Sequence, residues 1–124
     1  MKIRATDFVA LPVSDLAAAA RFYREVLGLH QDFLNEEYQW AEFDCGNITL
    51  ALHGGQPPHP AGGTQVAVAV DDIVQAYAEL TARGLRLPAP PQDWGVCQSL
   101  ELTDPDNNTL LLHHRADGTF GRTA

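Results

Sequence analysis

The sequence predicts an α+β fold built from two similar halves, each with a strand, a helix and further strands. The main observation is a repeat, because the segment 9–16 (VALPVSDL) returns as 66–73 (VAVAVDDI). A second pair follows in the same order, since 47–53 (NITLALH) resembles 107–113 (NNTLLLH). Two matched segments in one order indicate a duplicated unit of about sixty residues.

The length of the chain fits a single domain that contains both copies. At 124 residues the chain can bury a modest hydrophobic core, whereas either half by itself is too small to be readily stable. The segment 54–63 is rich in Gly and Pro and predicts a linker between the copies. We therefore expect one domain over 1–115, with repeats at about 1–56 and 62–115, and a flexible tail over 116–124.

Composition restricts the class of protein. The chain is 45% hydrophobic and 19% charged, which is typical of globular proteins, and no apolar run approaches the roughly 20 residues of a membrane span. The net charge of -8 disfavours a nucleic-acid partner and favours a cationic ligand. No apolar signal segment precedes the first strand, so we expect a cytoplasmic protein in which Cys45 and Cys97 are reduced thiols.

The first half begins with a strand at 3–13, whose apolar residues alternate. A helix is predicted over 15–29, because apolar residues recur at helical spacing, Ser14 or Asp15 can cap its start, and Gly28 can end it. Strands at 29–34, 38–44 and 48–53 complete this half. The last of them alternates most clearly.

The second half repeats this plan. We predict a strand at 64–70, a helix at 73–83 ended by Gly84, and a short strand around 85–87. A Pro-rich loop over 88–93 leads to a strand at 94–103. The segment 104–108 (DPDNN) predicts a turn into the last strand, 109–114.

These motifs resemble those of the vicinal oxygen chelate superfamily, which includes glyoxalase I, extradiol dioxygenases, fosfomycin resistance enzymes and bleomycin resistance proteins. The resemblance is carried by 9–16, by Phe22 and Tyr23 with 26–29 (VLGL), and by the turn 104–108. It extends over nearly the whole chain, to about Arg115. It implies two βαβββ modules in tandem that form a curved-sheet cup, usually in a homodimer with two cups.

The same resemblance implies where a metal would bind. Metal-dependent members place one ligand on each of four strands, at positions that correspond here to Phe8, Ala51, Gln65 and Leu111. Only Gln65 has a ligand atom, and a neutral amide does not replace the missing charge. We therefore expect no metal, no cofactor and no catalytic residue.

Two histidines keep an alternative open. His53 and His113 occupy equivalent positions in the repeat, each two residues, or about 6.5 Å of strand, beyond a vacant ligand position. With Gln65 they could form a displaced metal site, although a third strong donor is missing. We interpret them mainly as neutral imidazoles that line a pocket, and the other three histidines, His30, His59 and His114, as surface groups.

In the architecture that the resemblance implies, one face of each sheet packs on a helix and the other lines the cup. Strand alternation and nearby aromatic residues then predict a ligand pocket of nine residues: Phe8, Trp40, Phe43, Ala51, His53, Gln65, Trp94, Leu111 and His113. Glu42 and Glu101 lie at comparable places in the two halves. We interpret them as solvated edge residues rather than as an acid pair.

The sequence therefore predicts a metal-free binding protein similar to the bleomycin resistance proteins. This resemblance implies a dimer that sequesters a cationic drug. Its ligand would be an antibiotic or another aromatic or cationic metabolite. A metal-dependent lyase, isomerase or dioxygenase with a displaced metal site is the alternative. A metal-free catalyst with His53 or His113 as general base, and a domain whose filled cup serves association only, also stay open.

Overall fold

The computed structural model of the chain describes residues 1–2, 4–57 and 64–121. The chain divides into two compact units, Met1–Pro60 and Ala61–Ala124, which we call unit 1 and unit 2. Each contains a four-stranded mixed sheet with one helical segment, in the order strand, helix and three strands. This order confirms the predicted α+β fold of two βαβββ modules. Most of the predicted linker, and His59, lie outside the described residues.

Unit 1 has the strand order β1-β4-β3-β2, with β1 parallel to β4 and the other pairs antiparallel. Its elements are β1 (Phe8–Pro12), α1 (Leu16–Arg21), a π-helical segment (Phe22–Val26), β2 (His30–Asn35), β3 (Trp40–Asp44) and β4 (Thr49–His53). The predicted first strand, 3–13, is therefore shorter than expected.

The first helix differs from the single α-helix predicted over 15–29. Asp15 caps its start as expected, because its carboxylate accepts a hydrogen bond from the backbone N–H of Ala18 at 3.1 Å. After Arg21 the turn widens, and the N–H of Leu27 donates to the carbonyl of Phe22, five residues earlier, at 3.1 Å. Phe22 and its neighbour Tyr23 are both buried there, so the core receives two adjacent aromatic side chains.

Unit 2 has the matching strand order β5-β8-β7-β6. Its elements are β5 (Gln65–Ala69), α2 (Ile73–Ala82), β6 (Gln92–Asp93), β7 (Cys97–Thr103) and β8 (Thr109–Arg115). The prediction of a strand around 85–87 was wrong, because the strand that follows α2 is β6, which lies inside the predicted loop 88–93. The N–H of Leu85 instead bonds back to the carbonyl of Leu80 at the end of α2, at 3.0 Å.

Each sheet has a helix face, which packs on the helix of its unit, and an open face on the other side. The helix face of unit 1 carries Leu11, Leu50 and Leu52, each at most 1% exposed. In unit 2 it carries the fully buried Leu110 together with Leu112. Side chains alternate along a strand, so the intervening residues belong to the open face.

The turn between β7 and β8 is stabilised by hydrogen bonds to a buried carboxylate. Asp104 is 3% exposed, and its Oδ1 accepts hydrogen bonds from the N–H groups of Asp106 and Asn108, at 2.8 and 2.9 Å. Its Oδ2 accepts a third from the side-chain amide of Asn108 at 2.9 Å. These bonds explain why the DPDNN segment forms a tight turn at this point.

The tail predicted to be flexible starts with a hydrogen-bonded turn. The guanidinium of Arg115 donates to the hydroxyl of Thr119 at 3.2 Å and to the carbonyl of Gly121 at 3.1 Å. Within the described part of the chain, no helix has the length and apolar character needed to cross a membrane.

Candidate functional site

A groove of about 540 Å³ opens on unit 2, between the open face of its sheet and the loop that precedes β7. Its floor is formed by β7 and β8 and its wall by the Pro-rich segment. The lining residues are Pro88, Ala89, Pro90, Gln92, Trp94, Cys97, Ser99, Glu101, Leu111 and His113. Three of the nine residues predicted to line a pocket, Trp94, Leu111 and His113, therefore meet in one groove.

Trp94 gives this groove an aromatic surface in a fixed position. Its indole Nε1–H donates a hydrogen bond to the hydroxyl of Ser99 at 2.9 Å, which anchors one edge of the ring on β7. Ser99 lies directly opposite His113 in the sheet. The Trp94 residue nevertheless stays 62% exposed, so much of the indole is free for a ligand to stack on.

Glu101 supplies the charge. It is opposite Leu111 on the open face, and it is the only Asp, Glu, Lys or Arg among the groove-lining residues. Glu101 is exposed, as the solvated interpretation expected, and its buried neighbours Leu100 and Leu102 on the helix face turn it toward the groove as well. An aromatic face beside one carboxylate can hold an organic cation through cation-π and ionic contacts.

The open face of unit 1 carries a second aromatic group. The rings of Phe8 and Trp40 meet edge to face, with centroids 5.6 Å apart and planes at 86°. The imidazole of His53 lies 5.7 Å from Trp40 on the other strand of the β3–β4 pair. Phe8, Trp40 and His53, all predicted pocket residues, are thus close together within this unit.

The three remaining predicted pocket residues lie in neither the groove nor the aromatic group of unit 1. Phe43 was wrong as a pocket residue, because it is fully buried on the helix face with its ring 5.9 Å from that of Tyr23. Ala51 is also fully buried and presents no surface to a ligand. Gln65 is exposed on β5 opposite Thr109, outside the lining of the groove.

The histidines predicted at the surface also differ from one another. His30 is exposed, and its ring lies 2.9 Å from the carboxylate of Asp32. His114, by contrast, is half-buried, and its Nδ1 lies 2.9 Å from the carbonyl oxygen of Val70, which ties β8 to the segment after β5. His114 is therefore a structural residue and not a surface group.

The residues present do not fit the metal that the resemblance implies for part of the superfamily. Phe8, Ala51 and Leu111 have hydrocarbon side chains at three of the four ligand positions, and Gln65 offers one neutral amide. Over residues 1–2, 4–57 and 64–121, no three His, Cys, Asp or Glu side chains gather closely enough to hold an ion.

The two cysteines lie in different units, and both are free thiols. Cys97 lines the groove of unit 2. Burial, and to a lesser extent the nearby carboxylate of Asp44, raise the pKa of Cys45 above its usual value. Cys45 is therefore a weak nucleophile at neutral pH.

Comparisons with known proteins agree with this architecture. A sequence profile of the Glyoxalase/Bleomycin resistance protein/Dioxygenase superfamily matches residues 5–112. The chain is 25% identical to the Bacillus subtilis protein YraH over 121 residues, which covers 85% of this chain and 94% of YraH.

Two solved structures are similar over most of their length. A glyoxalase/bleomycin resistance protein/dioxygenase from Nocardioides has a TM-score of 0.76 and 22% identity, with 99% of this chain and 93% of that chain covered. A lactoylglutathione lyase from Agrobacterium tumefaciens has a TM-score of 0.74 and 26% identity, with 91% and 95% covered.

Proposed function

Because the chain belongs to the glyoxalase/bleomycin resistance protein/dioxygenase superfamily, we propose that it is a metal-free small-molecule-binding protein whose ligand is an aromatic or cationic compound, such as an antibiotic or a metabolite. The ligand occupies the groove of unit 2. The observation that carries this proposal is the exposed indole face of Trp94 in the same groove as Glu101, its only carboxylate.

The electrostatics of the groove support a cation. A positive group over an indole face gains about 0.5 to 2 kcal/mol, depending on how much water is excluded. Glu101 adds an ionic contact, and the net charge of -8 raises the local concentration of cations around the protein. Leu111 and the prolines of the wall provide apolar contacts for the rest of the ligand.

The alternative is a metal-dependent lyase, isomerase or dioxygenase with a displaced metal. The name of the Agrobacterium relative, a lactoylglutathione lyase, favours this alternative. The hydrocarbon side chains at three implied ligand positions weigh against it. A cytoplasmic location and a homodimer stay predictions.

Fluorescence tests the proposal directly, because the chain has only two tryptophans. In the variant Trp40→Phe the signal comes from Trp94 alone, and benzyltrimethylammonium should quench it saturably in protein treated with a chelator. Benzyl alcohol, a neutral aromatic of similar size, should bind more weakly. Quenching that appears only after a divalent metal is added would favour the metal-dependent alternative.

A charge-neutral variant identifies the residue responsible. Glu101→Gln should raise the Kd for benzyltrimethylammonium about fivefold, the effect of losing roughly 1 kcal/mol of ionic contact. Glu79→Gln is the matched control, because this substitution removes the same charge. Glu79 is an exposed residue of α2 in the same unit and lies outside the groove. Equal effects of the two substitutions would contradict a specific role for Glu101.

A further inference from the structure

The helix side of unit 1 carries a groove of about 650 Å³, on the side of the sheet opposite its open face. It lies between α1 and the edge strand β2, because α1 packs over β3 and β4 and leaves the helix face of β2 partly open. Leu34 stands opposite the fully buried Ala41 on this face, yet it is 43% exposed. We call this the outer groove, and its apolar floor consists of Leu34 with Ala17 and Ala20 of α1.

Opposite charges collect at the two ends of the outer groove. At one end are Arg21 and Arg24, and the guanidinium of Arg24 donates a hydrogen bond to Gln31 Oε1 near the start of β2, at 3.0 Å. At the other end are Asp15, which precedes α1, and Glu36, which follows β2. The groove thus has two cations and two carboxylates, and this arrangement favours a ligand with both charges over a simple cation or anion.

The acidic end is held in place by the turn after β2. The side-chain amide of Gln39 donates a hydrogen bond to the carbonyl of Glu36 at 2.8 Å, and the N–H of Gly54 donates to the carbonyl of Gln39, also at 2.8 Å. Among the residues that the structure describes, neither Arg21 nor Glu36 forms a salt bridge. Their charges are therefore available to a ligand and are not used by the fold.

The separation of the two ends determines the length of the ligand. From Asp15 to Arg21 the helix rises by about 9 Å, at about 1.5 Å for each residue, and Arg24 lies further along the groove. An extended peptide advances about 3.3 Å for each residue, so three residues span about 10 Å. A free amino acid has its two charges within one residue and cannot reach both ends.

We propose that the outer groove binds a short linear peptide with both termini ionised, and that a tripeptide is the shortest that fits. The carboxylate of the peptide pairs with Arg21 and Arg24, because a planar guanidinium can donate two parallel hydrogen bonds to a carboxylate. The ammonium group pairs with Asp15 and Glu36, and the middle residue lies on the apolar floor beside Leu34. This site does not depend on the cation proposed for the groove of unit 2.

Calorimetry with trialanine tests the proposal on the whole chain, at low ionic strength because exposed ion pairs are weak and screened by salt. Trialanine should give saturable heat. Arg21→Gln should raise the Kd for trialanine about threefold and leave the Kd for trialanine amide, which lacks the carboxylate, unchanged. Glu36→Gln should raise the Kd for trialanine by a similar factor and leave the Kd for N-acetyltrialanine, which lacks the ammonium group, unchanged.

The matched controls are Arg4→Gln and Glu37→Gln, because Arg4 and Glu37 are exposed residues of the same unit that do not line the outer groove. Both should leave the Kd for trialanine unchanged. Ala17→Leu tests the groove itself, since Ala17 is exposed on α1 and leucine is also a good helix former. The larger side chain should fill the groove and abolish trialanine binding without lowering the Tm.

Three outcomes would overturn the inference. One is the absence of saturable heat with trialanine, and another is an equal effect of Arg21→Gln on trialanine and on its amide. The third is an effect of Glu101→Gln on trialanine as large as that of Glu36→Gln, because the peptide would then occupy the groove of unit 2. If trialanine binds as predicted and benzyltrimethylammonium does not bind, the proposed function is overturned and this inference stands.

Discussion

Replacement of Asp104 tests how the two final strands of unit 2 are held together. Asp104→Ala removes at least three hydrogen bonds to a carboxylate that is 3% exposed, among them two from backbone N–H groups and one from Asn108 Nδ2. At about 1 kcal/mol for each bond, the free energy of unfolding should fall by about 3 kcal/mol. That change corresponds to a decrease in Tm of about 10 °C for a chain of this size.

Asp104→Asn separates the contribution of the backbone N–H bonds from that of the bond to the Asn108 side chain. The Asn side chain keeps an acceptor for the two backbone N–H groups but presents an amide to the amide of Asn108, so only one bond is lost and the cost is about 1 kcal/mol. The control is Asp93→Ala, whose exposed carboxylate accepts one bond from the N–H of Gly95, at 2.8 Å, and should cost less than about 1 kcal/mol.

The assay is urea unfolding in a Trp40→Phe background, where the fluorescence of Trp94 reports on unit 2. A decrease of less than about 1 kcal/mol for Asp104→Ala would refute the reasoning, since three buried bonds cannot be lost so cheaply. Equal decreases for the Ala and Asn variants would show that the backbone bonds do not stabilise the turn.

Three further predictions concern unit 1. Phe43→Ala should lower the free energy of unfolding by about 3 to 4 kcal/mol in a denaturant titration, because a fully buried ring is replaced by a cavity; a loss below about 1 kcal/mol would contradict its place in the core. Gly54→Ala should cost about 1 to 3 kcal/mol, because the added Cβ would lie 2.9 Å from Leu16 Cβ; an unchanged Tm would show that the contact relaxes freely. In a Cys97→Ala background, the alkylation of Cys45 by iodoacetamide should have its pH midpoint above that of free cysteine, because burial raises the pKa of the thiol and lowers its thiolate fraction at a given pH. A midpoint at or below that of free cysteine would contradict this.

The overall architecture could be predicted because the repeat and the alternation of apolar residues are both visible in short stretches of sequence. The buried leucines Leu50 and Leu52 determine which face of β4 packs on the helix, and their counterparts in β8 do the same. The alternation at 85–87 also has the period of a strand, but Leu85 bonds back to α2 and the edge position goes to β6. Which segment pairs with β7 depends on contacts that a local pattern does not contain.

The π-helical segment could not be predicted either. An apolar stripe is compatible with an α-helix or with a locally wider turn, and the choice depends on burying both Phe22 and Tyr23. Gly28 ends the segment as predicted, with a positive φ of 74°.

The candidate sites were predictable in part. Trp94 and His113 followed from their place near the loop and on the last strand. Phe43 was assigned to a pocket because it is aromatic, although its odd spacing from Trp40 already puts the two on opposite faces of β3. Glu101 was missed, yet its alternation with Leu100 and Leu102 was the signal that could have found it.

The most direct test of organic-cation binding in the groove of unit 2 is calorimetry of the chelator-treated protein with benzyltrimethylammonium. We predict saturable heat that does not depend on added metal and that Glu101→Gln weakens. No saturable heat until Zn²⁺, Mn²⁺ or Ni²⁺ is supplied would contradict the proposed function and favour a metal-dependent enzyme.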